Sequence, residues 1–219
     1  MPPIDAVVFD LDGLLVDSEQ VWDEARRDLV RDTGGTWREE ATRDMMGMSA
    51  PEWSRYVHDR LEVPLSPEEI NEEVVRRLQE RYRTELPLLP GAREAVQRLA
   101  ERWPLGLASS SNRPVIDAVL DSMGVSDLFQ ATVSSEEVGR GKPAPDVYLE
   151  AARRLSVDPT RTAAVEDSEN GIRSAHAAGM RVVTIPNAHF PPRGDALALA
   201  DVVLDDLRAL TPETVQGES

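Results

Sequence analysis

The chain of 219 residues reads as an α/β protein: a doubly wound, Rossmann-like parallel sheet with a second, smaller all-helical unit set between its first and second strands. Three observations carry that reading. The run Ala6-Val7-Val8-Phe9 is apolar without interruption, as a strand covered on both faces requires. From about Val16 to about Leu86 no segment has strand character. From Pro90-Gly91 onward, short apolar runs alternate with helical periods, the pattern of parallel strands joined by right-handed crossovers.

After the first strand, Val21, Trp22, Ala25, Leu29 and Val30 recur at helical spacing, and that helix closes at Gly34-Gly35. Ser49-Ala50-Pro51-Glu52 and Ser66-Pro67-Glu68-Glu69 are capping boxes. The second opens a helix whose apolar stripe is Ile70, Val74, Leu78 and Tyr82. Beyond Gly91 the predicted order is helix 92–102, strand 105–108, helix 114–123, strand 129–133, helix 145–155, strand 162–165, helix 169–178, strand 181–185 and a short strand 201–204. Pro186 to Gly194 reads as a Pro-rich surface loop, and the tail from about Thr211 as frayed. The division this implies is 1–15 with 88–219 for the α/β unit, and 16–87 for the helical one.

Composition narrows the chemistry. There is no cysteine, which excludes disulfides, thiol nucleophiles and cysteine-ligated metals and points to the cell interior. The start of the chain lacks the pattern of a signal peptide, and no apolar run approaches the roughly 20 residues of a membrane helix. A soluble, cytoplasmic protein, monomeric or weakly dimeric, is expected. The formal net charge of −16 argues against nucleic acid and acidic membranes as partners. It does not exclude a small anion, because screening over a Debye length of about 8 Å lets a local cationic pocket dominate.

The chemistry gathers at strand ends. Asp10-Leu11-Asp12-Gly13 closes the first strand, where open α/β sheets bind ligands. Alone it reads equally as a strand ending in a polar turn. If the first strand is central, with the next two on one side and the fourth on the other, the switch point lies between strands one and four. The fourth ends in Glu166-Asp167, a pair that alone reads as a helix cap at Asp167 or Ser168. Four carboxylates meeting in one crevice cannot all stay ionised without a cation, and hard oxygen ligands favour Mg²⁺. The one lysine among 24 basic residues, Lys142, is either a leftover or a position that needs a compact point charge.

Taken in order, Asp10-Leu11-Asp12-Gly13-Leu14-Leu15-Val16-Asp17-Ser18, Leu107-Ala108-Ser109-Ser110-Ser111, Gly141-Lys142-Pro143 and Val165-Glu166-Asp167-Ser168-x-x-Gly171 resemble the four motifs of the haloacid dehalogenase superfamily of phosphohydrolases. The likeness spans nearly the whole α/β unit, and the helical block resembles that family's cap. It implies an aspartyl-phosphate mechanism in which Asp10 is the nucleophile and Asp12 the general acid and base. It further implies Mg²⁺ held by the Asp10 side chain, the Asp12 carbonyl and Asp167, with Glu166 in the outer shell. Ser109 and backbone N–H groups around Leu11 and Ser110 would hold the phosphoryl oxygens, and Lys142 would neutralise the charge shared with Asp10.

Departures from the pattern narrow the branch. Asp12 argues against dehalogenation, and the helical block has no lysine for Schiff-base cleavage of phosphonates. The hexose-phosphate mutase branch of the β-phosphoglucomutase type carries a histidine and a phosphate-clasping arginine where this chain has Trp22 and Ala50, so simple hydrolysis is favoured over mutase chemistry. Asp17-Ser18-Glu19-Gln20-Val21-Trp22 and Pro87-Leu88-Leu89-Pro90-Gly91 are similar to bacterial phosphatases acting on hexitol and deoxyhexose phosphates. The expected substrate is a small phosphorylated sugar or polyol, with Trp22 offering a flat face and Asn112 or Arg113 polar contacts. Trp22 reads equally as part of its helix's apolar stripe, and Met46-Gly47-Met48-Ser49 either tunes specificity or packs. His58, His176 and His189 receive no role. The competing class is a non-turnover module or aspartyl-phosphate switch, which has no use for Asp12 or for a cap.

Overall fold

A computed structural model describes residues 3–45, 48 and 50–217. Met46, Gly47 and Ser49 lie outside the described residues, and with them the capping box that begins at Ser49 and most of the methionine loop.

The first strand, β1 (Ala6–Phe9), is followed by four helices and no strand: α1 (Glu19–Thr33), α2 (Ala41–Met45), α3 (Ala50–Arg60) and α4 (Pro67–Thr84). Then come α5 (Ala92–Ala100), β2 (Leu105–Ser109), α6 (Arg113–Met123), β3 (Phe129–Ser134), α7 (Asp146–Leu155), β4 (Thr162–Glu166), α8 (Glu169–Ala177), β5 (Arg181–Thr184), α9 (Gly194–Leu197), β6 (Val202–Val203) and α10 (Pro212–Gln216). The six strands pair in parallel in the order β3-β2-β1-β4-β5-β6. The predicted fold class holds, and the order reverses between β1 and β4.

Alternation along the strands makes two cores. Val7, Phe9, Leu105, Leu107, Ala163 and Val165 face α5 and α6, in a cluster continuous with the apolar stripes of α1 and α4. Val8, Ala108, Val133 and Ala164 face the other way, onto Val147, Tyr148 and Ala151 of α7 and Ile172 and Ala175 of α8. Ser66 opens α4 with its side chain accepting from the Glu69 N–H while Glu69 returns the bond, and Ile70, Val74, Leu78 and Tyr82 are all buried.

Two expectations need correction. The tail is not frayed: Thr211 and Thr214 cap α10, Val215 is buried, and Arg98 of α5 donates to the carbonyl oxygens of Leu207 and Leu210. A helix of five residues is too short for its periodicity to show in sequence, and the contacts that hold it come from a distant part of the chain. The loop before Gly194 is more than surface, because Asn187, Phe190 and Arg193 line the cavity over the strand ends. Among the described residues no helix is long and apolar enough to cross a membrane.

Candidate active site

Strands β1 and β4 lie side by side, with Phe9 in register with Val165, so Asp10 and the Glu166-Asp167 pair leave the sheet at the same level. The carboxylates of Asp10, Glu166 and Asp167 offer oxygens within 4.8 Å of one another, and all three residues are buried. Lys142 enters from the loop before α7 with its side chain only 5% exposed. Its Nζ donates to Asp10 Oδ1 at 2.7 Å and to Glu166 Oε1 at 2.6 Å. Burial alone would pull its pKa down, but Asp10 and Glu166 outweigh that and raise it, so Lys142 stays charged.

Glu166 is saturated. Besides Lys142, its Oε1 accepts from the Tyr148 hydroxyl at 2.5 Å, and its Oε2 accepts from the Asp167 and Ser168 N–H groups and the Ser168 hydroxyl. A side chain so engaged can brace a cation site more readily than ligate the cation itself. Gly171 makes room for it: a Cβ there would lie 1.9 Å from the Glu166 carboxylate. Ser168 also caps α8 by accepting from the Gly171 N–H, as the helix-cap reading of this segment expects.

Asp167 is oriented by the Asn187 side-chain amide, which donates to its Oδ2 at 3.0 Å. Its Oδ1 is buried without a partner. Burial, then the charges of Asp10 and Glu166, push its pKa well above the carboxylate range. Burial and Glu166 likewise raise Asp10 to about 7 against the pull of Lys142. Gly13 turns the chain at φ +79°, and a Cβ there would meet Asp167 Oδ2 at 2.2 Å. Three converging carboxylates, one with an orphaned oxygen and two whose ionised forms are disfavoured by burial and by their acidic neighbours, fit a divalent cation of the hard-oxygen kind.

Asp12 sits apart from that cluster. Its Oδ2 accepts from Ser111 Oγ at 2.7 Å and from Ser109 Oγ at 3.3 Å, while its Oδ1 is buried with no hydrogen bond. Ser111, to which the sequence gave no role, is therefore what steadies Asp12. Among the described residues the N–H groups of Leu11, Asp12 and Ser110 find no acceptor in the protein.

One cavity of about 850 Å³ lies over these groups and is walled on its far side by α1 and α3. Asp10, Asp12, Trp22, Ser110, Asn112, Lys142 and Asp167 all line it. Leu11, Ser109 and Glu166 are buried and do not. Asn112 is committed to Glu136 at 2.6 Å and to Asn71 of α4 at 3.3 Å, tying the helical block to the sheet. Arg113 turns away to Thr132 and Glu137, so its expected substrate contact is corrected. Trp22 packs edge-to-face on Trp53, centroids 6.0 Å apart, and also lines the cavity. Tyr148 and Asn187 were missed by sequence reasoning, since no spacing links them to the motifs they support, and Ser111 stood inside the second motif without a role of its own.

The fold and the strand-end carboxylates define an enzyme of the phosphoryl-transferring kind, and comparison with known proteins names the family. The model for haloacid dehalogenase-like hydrolases matches residues 4–179. Hexitol phosphatase B of Escherichia coli (strain K12) is 39% identical over 220 residues, covering 97% of this chain and 96% of its own. The phosphorylated carbohydrates phosphatase of Thermotoga maritima is 31% identical over 178 residues, covering 81% and 82%. CbbY from Rhodobacter sphaeroides, solved in complex with phosphate, superposes with a TM-score of 0.87 at 28% identity, covering 97% and 99%. The chain belongs to the haloacid dehalogenase-like hydrolases, and it is a phosphoric monoester hydrolase.

Proposed function

We propose that the protein hydrolyses a small phosphorylated sugar or polyol in a Mg²⁺-dependent reaction through an aspartyl-phosphate on Asp10. The observation that carries this is the strand-end cluster: one carboxylate, Asp10, lies at the cavity beside both a lysine and two further buried carboxylates. The relatives acting on hexitol phosphates and phosphorylated carbohydrates support the substrate class. We further propose that residues 16–87 act as a cap over a core formed by 1–15 and 88–219.

Asp10 and Asp167, with the Asp12 carbonyl, would hold the cation, and Glu166 would brace it from outside. When bound, the cation withdraws charge from the phosphoryl group and from Asp10, easing the approach of two anions. An Asp10 oxygen forms a bond to phosphorus as the ester P–O bond breaks, and Asp12 gives a proton to the departing alkoxide. Asp12 then takes a proton from water, the water oxygen bonds to phosphorus, and the bond to Asp10 breaks to release phosphate. Lys142 stabilises the charge shared by Asp10 and the phosphoryl oxygens. The N–H groups of Leu11 and Ser110, with the Ser109 hydroxyl, complete the phosphoryl cradle. Ser109 reaches that cradle only after leaving Asp12, a rearrangement that would also free Asp12 for proton transfer. Trp22 and Asn112 are proposed contacts to the leaving group.

The test is phosphate release from a panel of hexitol, hexose and glycolytic phosphates, with Mg²⁺ and with chelator. Turnover abolished by chelator supports the proposal. Absence of turnover on every member would favour a binding module instead.

A further inference from the structure

The cavity has three cations among its described lining residues, and two are paired. Lys142 is bonded to Asp10 and Glu166, and Arg193 to Glu169. Arg26 of α1 is different. No carboxylate pairs with it among the described residues, and none of its nitrogens has a hydrogen-bond acceptor there; its Nε is buried outright. Asp23, one turn earlier on the helix, is already engaged by Arg27 at 2.5 Å and by the Thr42 hydroxyl. What Arg26 does touch is aromatic, its guanidinium carbon lying 4.9 Å from the Trp22 ring centre and 4.8 Å from that of Trp53. Desolvation lowers its pKa to about 10 against the more distant pull of Asp23, Asp12 and Glu19, so it is charged at neutral pH.

Ring faces offset part of the desolvation of a guanidinium but accept none of its in-plane N–H bonds. Contact with the two rings leaves the planar fork that suits a carboxylate or phosphate without an acceptor among the described residues, and Arg26 lines the cavity. A buried cation left without an acceptor is costly, and a ligand that supplies one is correspondingly favoured. The helical wall thus presents its own anion-seeking group in the same cavity as Asp10 and Lys142. It does so from α1, not from Ala50 at the start of α3, where the mutase branch carries its arginine.

We infer that Arg26 is a specificity-determining residue that binds a second anionic group, a carboxylate or a further phosphate, on the leaving group of the ester. This rests on the phosphatase reading above and sharpens its substrate class from neutral polyol phosphates to esters whose alcohol is itself acidic.

The test separates the two readings. An Asp10→Asn variant binds without turnover, so its affinities for glucitol 6-phosphate, gluconate 6-phosphate and fructose 1,6-bisphosphate can be measured by calorimetry. Tighter binding of either acidic ester by about tenfold or more is expected. The two acidic esters together tell a carboxylate from a phosphate. Adding Arg26→Gln should erase that preference, and Arg26→Lys, which keeps charge but loses the fork, should leave a fraction of it. In the enzyme with Asp10 intact, the same loss should appear as a raised KM for the acidic esters relative to the neutral one. Equal affinity for all three esters in Asp10→Asn overturns the inference, and this arm stands even if Arg26→Gln does not fold. A preference that survives Arg26→Gln, or an equal fall for every ester, also overturns it. If the intact enzyme releases phosphate from none of the esters with Mg²⁺ present, the phosphatase reading fails, whatever the binding arm shows.

Discussion

The two walls of the cavity are built on opposite principles. On the strand-end floor the lysine and the glutamate beneath it are bound to one another and to their neighbours, and glycines at 13 and 171 are kept free of side chains to let them approach. On the helical wall a guanidinium stands over two tryptophans with no acceptor among the described residues. The floor is organised around a reaction that every substrate of the enzyme shares. The wall is organised around what differs between substrates, and there an unmet hydrogen-bonding need is a means of selection.

If that contrast is right, damage to the floor should be large and indifferent to substrate. Asp10→Asn, which removes the proposed nucleophile while conserving volume, should cut kcat by about a thousandfold or more on any ester it turns over, with the thermal midpoint kept or raised. A residual rate within tenfold would move the nucleophile elsewhere. Lys142→Met should leave Asp10 and Glu166 buried and uncompensated. The expected cost is about 3–5 kcal/mol in urea unfolding, together with nearly all activity. Loss of activity with unchanged stability would show that the ion pairs do not hold the floor together.

Gly171→Ala comes next. Its Cβ would fall 1.9 Å from the Glu166 carboxylate, which must shift, so about 1–3 kcal/mol of stability should be lost. A neutral result would mean the approach of α8 to Glu166 is slack. Metal binding should depend on pH in a stated direction. Asp10 is raised to about 7, so its protonated form is favoured in the folded state, and without metal its contribution to stability falls as pH climbs from about 4 through about 7. Asp167, also raised, acts in the same direction. A cation that takes ionised carboxylates reverses this, so Mg²⁺ should raise the thermal midpoint more at about pH 8 than at about pH 5.5. Equal shifts at both would place the ion elsewhere.

The smallest effect belongs to the helical block. The Tyr82 hydroxyl is buried and has no partner among the described residues, so Tyr82→Phe should change stability by less than about 1 kcal/mol, with any change toward greater stability. A loss larger than that would reveal a bond to the hydroxyl in solution.

How much of this was legible follows the same division. The strand order could be read because a buried parallel strand shows as a short apolar run, which all of β1 and the interiors of β2 and β4 supply. Asp10 and Asp167 were visible because each follows such a run, so topology alone brings them close, and Lys142 was visible as the one lysine among 24 basic residues. Tyr148 and Asn187 were not visible: one sits in the apolar stripe of α7 and the other in a loop, and only folding aims them at Glu166 and Asp167. Arg26 was hidden for a further reason. In a helix that pairs Arg27 with Asp23 and Arg31 with Asp28, one more arginine looks like solvated surface until the tryptophan of another helix is seen beneath it.

The central claim is that Asp10 carries the phosphoryl group. Acid quenching during turnover, followed by borohydride, reduces an acyl phosphate to an alcohol that peptide mass spectrometry can locate. The expected result is reduction at Asp10, requiring both substrate and Mg²⁺ and lost in Asp10→Asn. Reduction at another carboxylate, or a fully turning-over enzyme in which Asp10 is never modified, would contradict it.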